Sequence, residues 1–142
     1  MEAFENEVRL HHAGFVVESI GKSAAAFAES LGMVWDQRII HDPAQTVRVS
    51  FLYPGPPGNP TIELVEPEGT ESAVARFLRR GGGLHHLCYE VDSIEKQLEW
   101  TRARRDLIIR APTPAVAFEG RRIAWVYTKN KLLLEYLERC RK

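Results

Sequence analysis

Leu10–Lys22 (LHHAGFVVESIGK) and Leu84–Lys96 (LHHLCYEVDSIEK) are near-copies of one another, 74 positions apart. Leu, His, His, Val, Ser, Ile and Lys coincide, seven positions of thirteen, and Phe15 over Tyr89 and Glu18 over Asp92 are conservative pairs. A second match follows in the same order. Thr61–Glu66 (TIELVE) over Leu133–Glu138 (LLEYLE), offset 72, sets Glu63 on Glu135 and Glu66 on Glu138. Two matched segments in one order at nearly one spacing mark an internal duplication. A duplicated chain is constrained to fold as two equivalent halves.

The local signals give each half the same plan. Residues 10–17 are β-branched and aromatic enough for a strand. Ser19 or Ser23 caps the helix that follows, and Gly32 stops it. WDQRII and TVRVSFLY read as strands around the turn HDPAQ. PGPPGNP (54–60) is too rich in proline for anything but a turn, and TIELVEP is the last strand. TESAVARFLRR reads as a linking helix opened by a capping box at Thr70 or Ser72. The second half has a strand at 84–91, a helix at 93–105, a short strand near LIIRA, then RRIAWVY and KLLLEYLE. Each half is βαβββ, which predicts an α+β protein whose mixed sheet curves around a shared cleft. The expected layout is one domain over 9–139: module one at 9–67, linking helix at 70–81, module two at 84–139. Gly81, Gly82 and Gly83 read as a flexible crossing into module two.

Composition narrows the function classes. The 142 residues suit one domain with a real core, at 44% hydrophobic and 27% charged. Net charge is zero, which predicts neither a nucleic-acid partner nor an anionic membrane surface. No apolar stretch approaches the ~18 residues of a membrane span, and MEAFENEVRL lacks a signal-peptide core. Cys88 and Cys140 form no CxxC pair, and Cys88 in its apolar run reads as a buried, reduced thiol. A cytoplasmic location is expected.

Strand alternation splits each His-His pair. His11 shares a face with Ala13, Phe15 and Val17, and His85 with Leu87, Tyr89 and Val91; these bulky faces suit packing against helices. His12 goes with Gly14 and Val16, and His86 with Cys88 and Glu90, where small neighbours suit the inside of a curved sheet. Glu63 and Glu135 are each embedded among apolar strand residues. Burying a lone carboxylate costs several kcal/mol unless it finds a partner. Two imidazoles and two carboxylates, one of each per half, make a site for one divalent ion: zinc, cobalt, nickel, manganese or iron. The missing thiolates argue against a structural zinc cluster. Taken singly, each residue has a blander reading: a hydrogen-bonded strand histidine, or a glutamate on a solvated face. Glu66 and Glu138 close their strands and are expected to be exposed. His41 precedes a turn and reads as solvated, as do Arg121 and Arg122.

Leu10 to Glu138 resembles the vicinal oxygen chelate superfamily, and AQTVRVSFL (44–52), TIELVEP (61–67) and SAVARFLRRGGGLHHLCYEVDSI (72–94) resemble runs of its methylmalonyl-CoA epimerase family. Val49 stands nearest to where some bacterial epimerases have a second glutamate. The resemblance implies metal ligation by His12, Glu63, His86 and Glu135. It implies an epimerase or isomerase of a small acyl thioester that works through a metal-stabilised enolate, with Glu135, then Glu63, as the base. Two other activities fit the same ligand set: a lactoylglutathione lyase acting on a hemithioacetal, and a non-catalytic small-molecule binder of the resistance type. The family also implies a homodimer.

Overall fold

A computed structural model describes residues 6–56 and 58–140. In chain order these form β1 (Val8–Val16), α1 (Ile20–Leu31), β2 (Val34–Trp35), β3 (Ile40–Asp42), β4 (Val47–Tyr53), β5 (Thr61–Pro67) and α2 (Ala73–Arg79). There follow β6 (Gly83–Val91), α3 (Ile94–Ala103), β7 (Leu107–Pro114), a single 3-10 turn (Val116–Phe118), β8 (Arg122–Tyr127) and β9 (Leu133–Glu138). They fall into two compact units: His12–His85, and the described residues before and after it.

The two units have one pairing scheme. In the first, β5 lies parallel to β1 and antiparallel to β4, and β4 carries β2 and β3. In the second, β9 lies parallel to β6 and antiparallel to β8, and β8 carries β7. Parallel and antiparallel pairs coexist with helices in each, which is the α+β class expected. The strand that follows the helix differs. In the first unit it is broken into β2 and β3, and positive φ at Gln37 (64°) marks the break. In the second it is the eight-residue β7, longer than the LIIRA strand expected.

The helices begin where the sequence signals place them. Ser19 and Ser93 are the N-caps of α1 and α3; their hydroxyls accept hydrogen bonds from the backbone N–H of Lys22 (3.3 Å) and Lys96 (3.2 Å). Gly32 ends α1 in the left-handed region, φ 63°. The linking helix differs from expectation. It is seven residues long, Ser72 is its N-cap, and no side chain closes a capping box. The Ser72 hydroxyl is buried without a hydrogen-bond partner among the described residues.

Each helix packs on its own sheet, and the two cores are copies. Val17, Ile20, Ala24, Leu52 and Leu64 form the first. Val91, Ile94, Leu98, Ala124, Val126 and Tyr136 form the second. Val17 stands over Val91, Ile20 over Ile94, Ala24 over Leu98 and Leu52 over Val126 at offset 74, and Leu64 stands over Tyr136 at offset 72. Phe15 and Tyr89 flank the two clusters as predicted for the His11 and His85 faces. Each fully buried Ile or Leu contributes about 1.5–3 kcal/mol, so these faces hold the helices on the sheets.

The three glycines are a geometric requirement rather than a flexible spacer. Gly81, Gly82 and Gly83 have φ of 121°, 68° and 93°. A Cβ on Gly82 would stand 2.9 Å from the Val16 carbonyl oxygen and 3.3 Å from Leu78 Cδ1. The turn therefore disfavours a side chain at all three positions on conformational grounds, and at Gly82 on steric grounds as well.

Candidate functional site

The first half-site is built by β1 and β5. Their register sets Gly14 against Glu63, so Glu63 lies across from the residue two past His12 on His12's own face. His12 is fully buried and Glu63 is 5% exposed, and His12 Nε2 lies 3.6 Å from Glu63 Oε1. The second half-site repeats this on β6 and β9. Cys88 pairs with Glu135, again two past the histidine. His86 is 4% exposed, Glu135 3%, and His86 Nε2 lies 3.7 Å from Glu135 Oε1. The two-residue difference between the offsets 74 and 72 leaves the strand register unchanged, because it falls in the connections before the last strands.

All four residues predicted as ligands are buried, and each histidine meets the glutamate of its own module. The other histidine of each pair does something else. His11 packs edge-on to Phe118 (centroids 5.5 Å), and His85 packs edge-on to Phe77 of α2 (4.9 Å). His85 thus faces a helix, while His11 meets the 3-10 turn. His41 is exposed, 3.6 Å from Glu68.

The donor set fits a divalent cation. Imidazole nitrogen and carboxylate oxygen are ligands for borderline metals. The separations of 3.6 and 3.7 Å exceed the usual hydrogen-bond length. Two atoms each ~2.1 Å from a common ion lie about 3–4 Å apart.

Two functional neighbours escape a reading that stops at the repeat segments 10–22 and 61–66. Phe51 pairs directly with Glu63 across β4–β5, and Trp125 pairs directly with Glu135 across β8–β9. Phe51 also meets the His12 ring edge-on (5.8 Å, 74°), and Trp125 meets His86 (4.8 Å, 79°). The signal was present: RVSFLY (48–53) stands over RIAWVY (122–127) at offset 74.

That third match also corrects the expectation that Glu66 and Glu138 are exposed. Their side chains are only 13% and 16% exposed. Arg48 is ion-paired and hydrogen-bonded to Glu66. Arg122 binds Glu138 through two hydrogen bonds, Nε at 3.0 Å and Nη2 at 2.6 Å. Glu66 Oε1 further accepts from the Ile20 N–H at the start of α1 (3.0 Å), where negative charge is favoured. Arg121 and Arg122 are likewise not simply solvated. Arg121 pairs with Glu90 at 2.9 Å, and Arg122 also reaches Glu95 on α3 at 2.6 Å. Hydrogen bonding to Glu138, then to Glu95, raises the Arg122 pKa. The Arg122 hydrogen bond is the main cause holding the Glu95 carboxyl below its ordinary value.

The chain belongs to the Glyoxalase/Bleomycin resistance protein/Dioxygenase superfamily, whose family model matches residues 11–125. Its relatives include methylmalonyl-CoA epimerases, which are isomerases. It is 35% identical to the mitochondrial methylmalonyl-CoA epimerase of Dictyostelium discoideum over 85 residues, 57% of this chain and 51% of that one. It thus spans about half the length of that relative. It is 27% identical to the ethylmalonyl-CoA/methylmalonyl-CoA epimerase of Cereibacter sphaeroides over 124 residues, covering 86% of this chain and 90% of that one. The crystal structure of methylmalonyl-CoA epimerase from Mycobacterium tuberculosis superposes with a TM-score of 0.80 at 23% identity, covering 94% of this chain and 89% of that chain. This last likeness bears on the fold. No helix among the described residues is long and apolar enough to cross a membrane.

Proposed function

We propose that the chain is a metal-dependent epimerase of a small acyl thioester that carries a carboxylate on C2, with methylmalonyl-CoA as the substrate to test first. The observation that carries this reading is the repeated buried His–Glu pair, in equal register, in each module. Its relatives' names supply the substrate class.

In this reading His12, Glu63, His86 and Glu135 together hold one divalent ion. A divalent ion supplies positive charge that favours the enolate form of a substrate carbonyl. Glu135 is the base, with Glu63 its counterpart: a carboxylate oxygen takes the proton from the carbon between the thioester carbonyl and the carboxylate. A proton returned to the other face of that carbon inverts it. The flanking strand residues keep water away from the carboxylates, which strengthens their interaction with charge. A homodimer, drawn from the family resemblance, and a cytoplasmic location, drawn from the sequence composition, are part of the same proposal.

Incubating the metal-loaded protein with a single methylmalonyl-CoA epimer in deuterated water tests the activity. The expected result is racemisation with deuterium entering at C2. Unchanged substrate would contradict it, and turnover of methylglyoxal with glutathione instead would assign a lyase.

A further inference from the structure

We propose that Phe51 and Trp125 are positioning residues that fix the two ligand histidines for metal binding. The proposal rests on the metal reading above and extends it to residues beyond the ligand set.

Three observations point the same way. Each aromatic sits at the repeat-matched place, at offset 74. Each is the direct cross-strand partner of its module's glutamate, Phe51 of Glu63 and Trp125 of Glu135. Each also presents its ring to the histidine at a steep angle, 74° and 79°. One aromatic therefore neighbours both members of a ligand pair, the glutamate across the strands and the histidine through its ring. A directly opposed strand neighbour limits where a glutamate side chain can go. An edge-to-face ring contact is worth about 0.5–1.5 kcal/mol and has a preferred geometry, so it selects one imidazole orientation. Oriented ligands bind metal more tightly than loose ones, since the ordering cost is met on folding.

The two copies are unequal. Trp125 is the larger ring and lies nearer its histidine, 4.8 Å against 5.8 Å for Phe51. Phe51 is 7% exposed, while Trp125 is only half-buried.

The test is a Co2+ titration of chelator-treated protein, read by the visible absorption of the bound ion, alongside thermal melting of the metal-free form. Wild type, Phe51→Leu, Trp125→Leu and Trp125→Phe are compared. Trp125→Leu should weaken Co2+ binding about 10- to 100-fold, the range for removing a group that orients a ligand. Phe51→Leu should weaken it less. Trp125→Phe keeps a ring edge against His86 and should recover binding to within a few-fold of wild type, with a similar absorption spectrum. Leucine variants with wild-type affinity would overturn the proposal, as would a Trp125→Phe variant as weak as Trp125→Leu. If Trp125→Leu does not fold, the Trp125→Phe and Phe51→Leu affinities decide in the same way. A wild-type protein that takes up no Co2+ would sink the metal reading and this proposal together; normal uptake unaffected by the variants would sink this one alone.

Discussion

Where the first module has Ala24, the second has Leu98; where the first has Leu64 and Phe27, the second has Tyr136 and Thr101. The small Ala24 is compensated by Phe27, Ala28, Met33 and Trp35 packed around its cluster. The larger Leu98 and Tyr136 need fewer neighbours, and the Tyr136 hydroxyl is held by Gln97 and Thr101. Burial, more than those hydrogen bonds, sets the direction of the Tyr136 pKa, which is raised. Against this divergence stand the repeated features: His over His, Glu over Glu, aromatic over aromatic, Arg–Glu pair over Arg–Glu pair, serine cap over serine cap. The modules tolerate different ways of filling a core, as cores do when volume and pattern are kept. The polar constellation is repeated in residue type and in register.

Exchanging the matched core residues breaks the comparison most sharply. Leu98→Ala should cost about 2–4 kcal/mol in urea unfolding, because the Tyr136 side cannot collapse onto the gap. The reverse change, Ala24→Leu, should cost about 1–3 kcal/mol by overpacking against Phe27 and Trp35. If either exchange were neutral, the two cores would be looser than their matched burial implies.

The Arg–Glu pairs come next. Glu66→Ala and Glu138→Ala should each destabilise by about 1–3 kcal/mol, below the range for fully buried pairs because both arginines are about a third exposed. Glu66→Ala should be the worse of the two in chemical denaturation, since it also removes the acceptor for the Ile20 N–H. The serine caps sharpen the equivalence of the helices: Ser19→Ala and Ser93→Ala should each cost about 1 kcal/mol, and by similar amounts.

The smallest effect is at Glu95, which has no acidic counterpart because Gly21 holds the matched position. Its pKa is lowered, chiefly by Arg122. Its contribution is therefore present above the ordinary glutamate value and is lost as pH falls through the lowered folded value. The side chain is 59% exposed, so Glu95→Gln should change stability at neutral pH by only a few tenths of a kcal/mol. Urea melts of variant and wild type should converge on the acid side.

The repeat made most of this legible. The His-His doublets showed which strands open each module, and alternation separated His12 and His86 from His11 and His85. Glu63 and Glu135 stood out because a carboxylate amid apolar strand residues must have a partner. What stayed hidden depended on cross-strand register, which no single segment carries. Phe51 and Trp125 are ordinary aromatic strand residues until β4 and β8 are set against β5 and β9. Glu66 and Glu138 looked exposed because strand ends usually are, and only pairing places Arg48 and Arg122 opposite them. The GGG run carried its composition openly, but its three positive φ values and the approach of Gly82 to the Val16 carbonyl belong to the folded turn.

The central claim is that the two matched pairs act as a single centre. Metal content per chain, measured after purification without chelator for wild type, His12→Ala and His86→Ala, tests it most directly. The account predicts one divalent ion per wild-type chain and loss of that ion in either variant. Two ions per chain, or full retention of the ion when one module's histidine is removed, would contradict it.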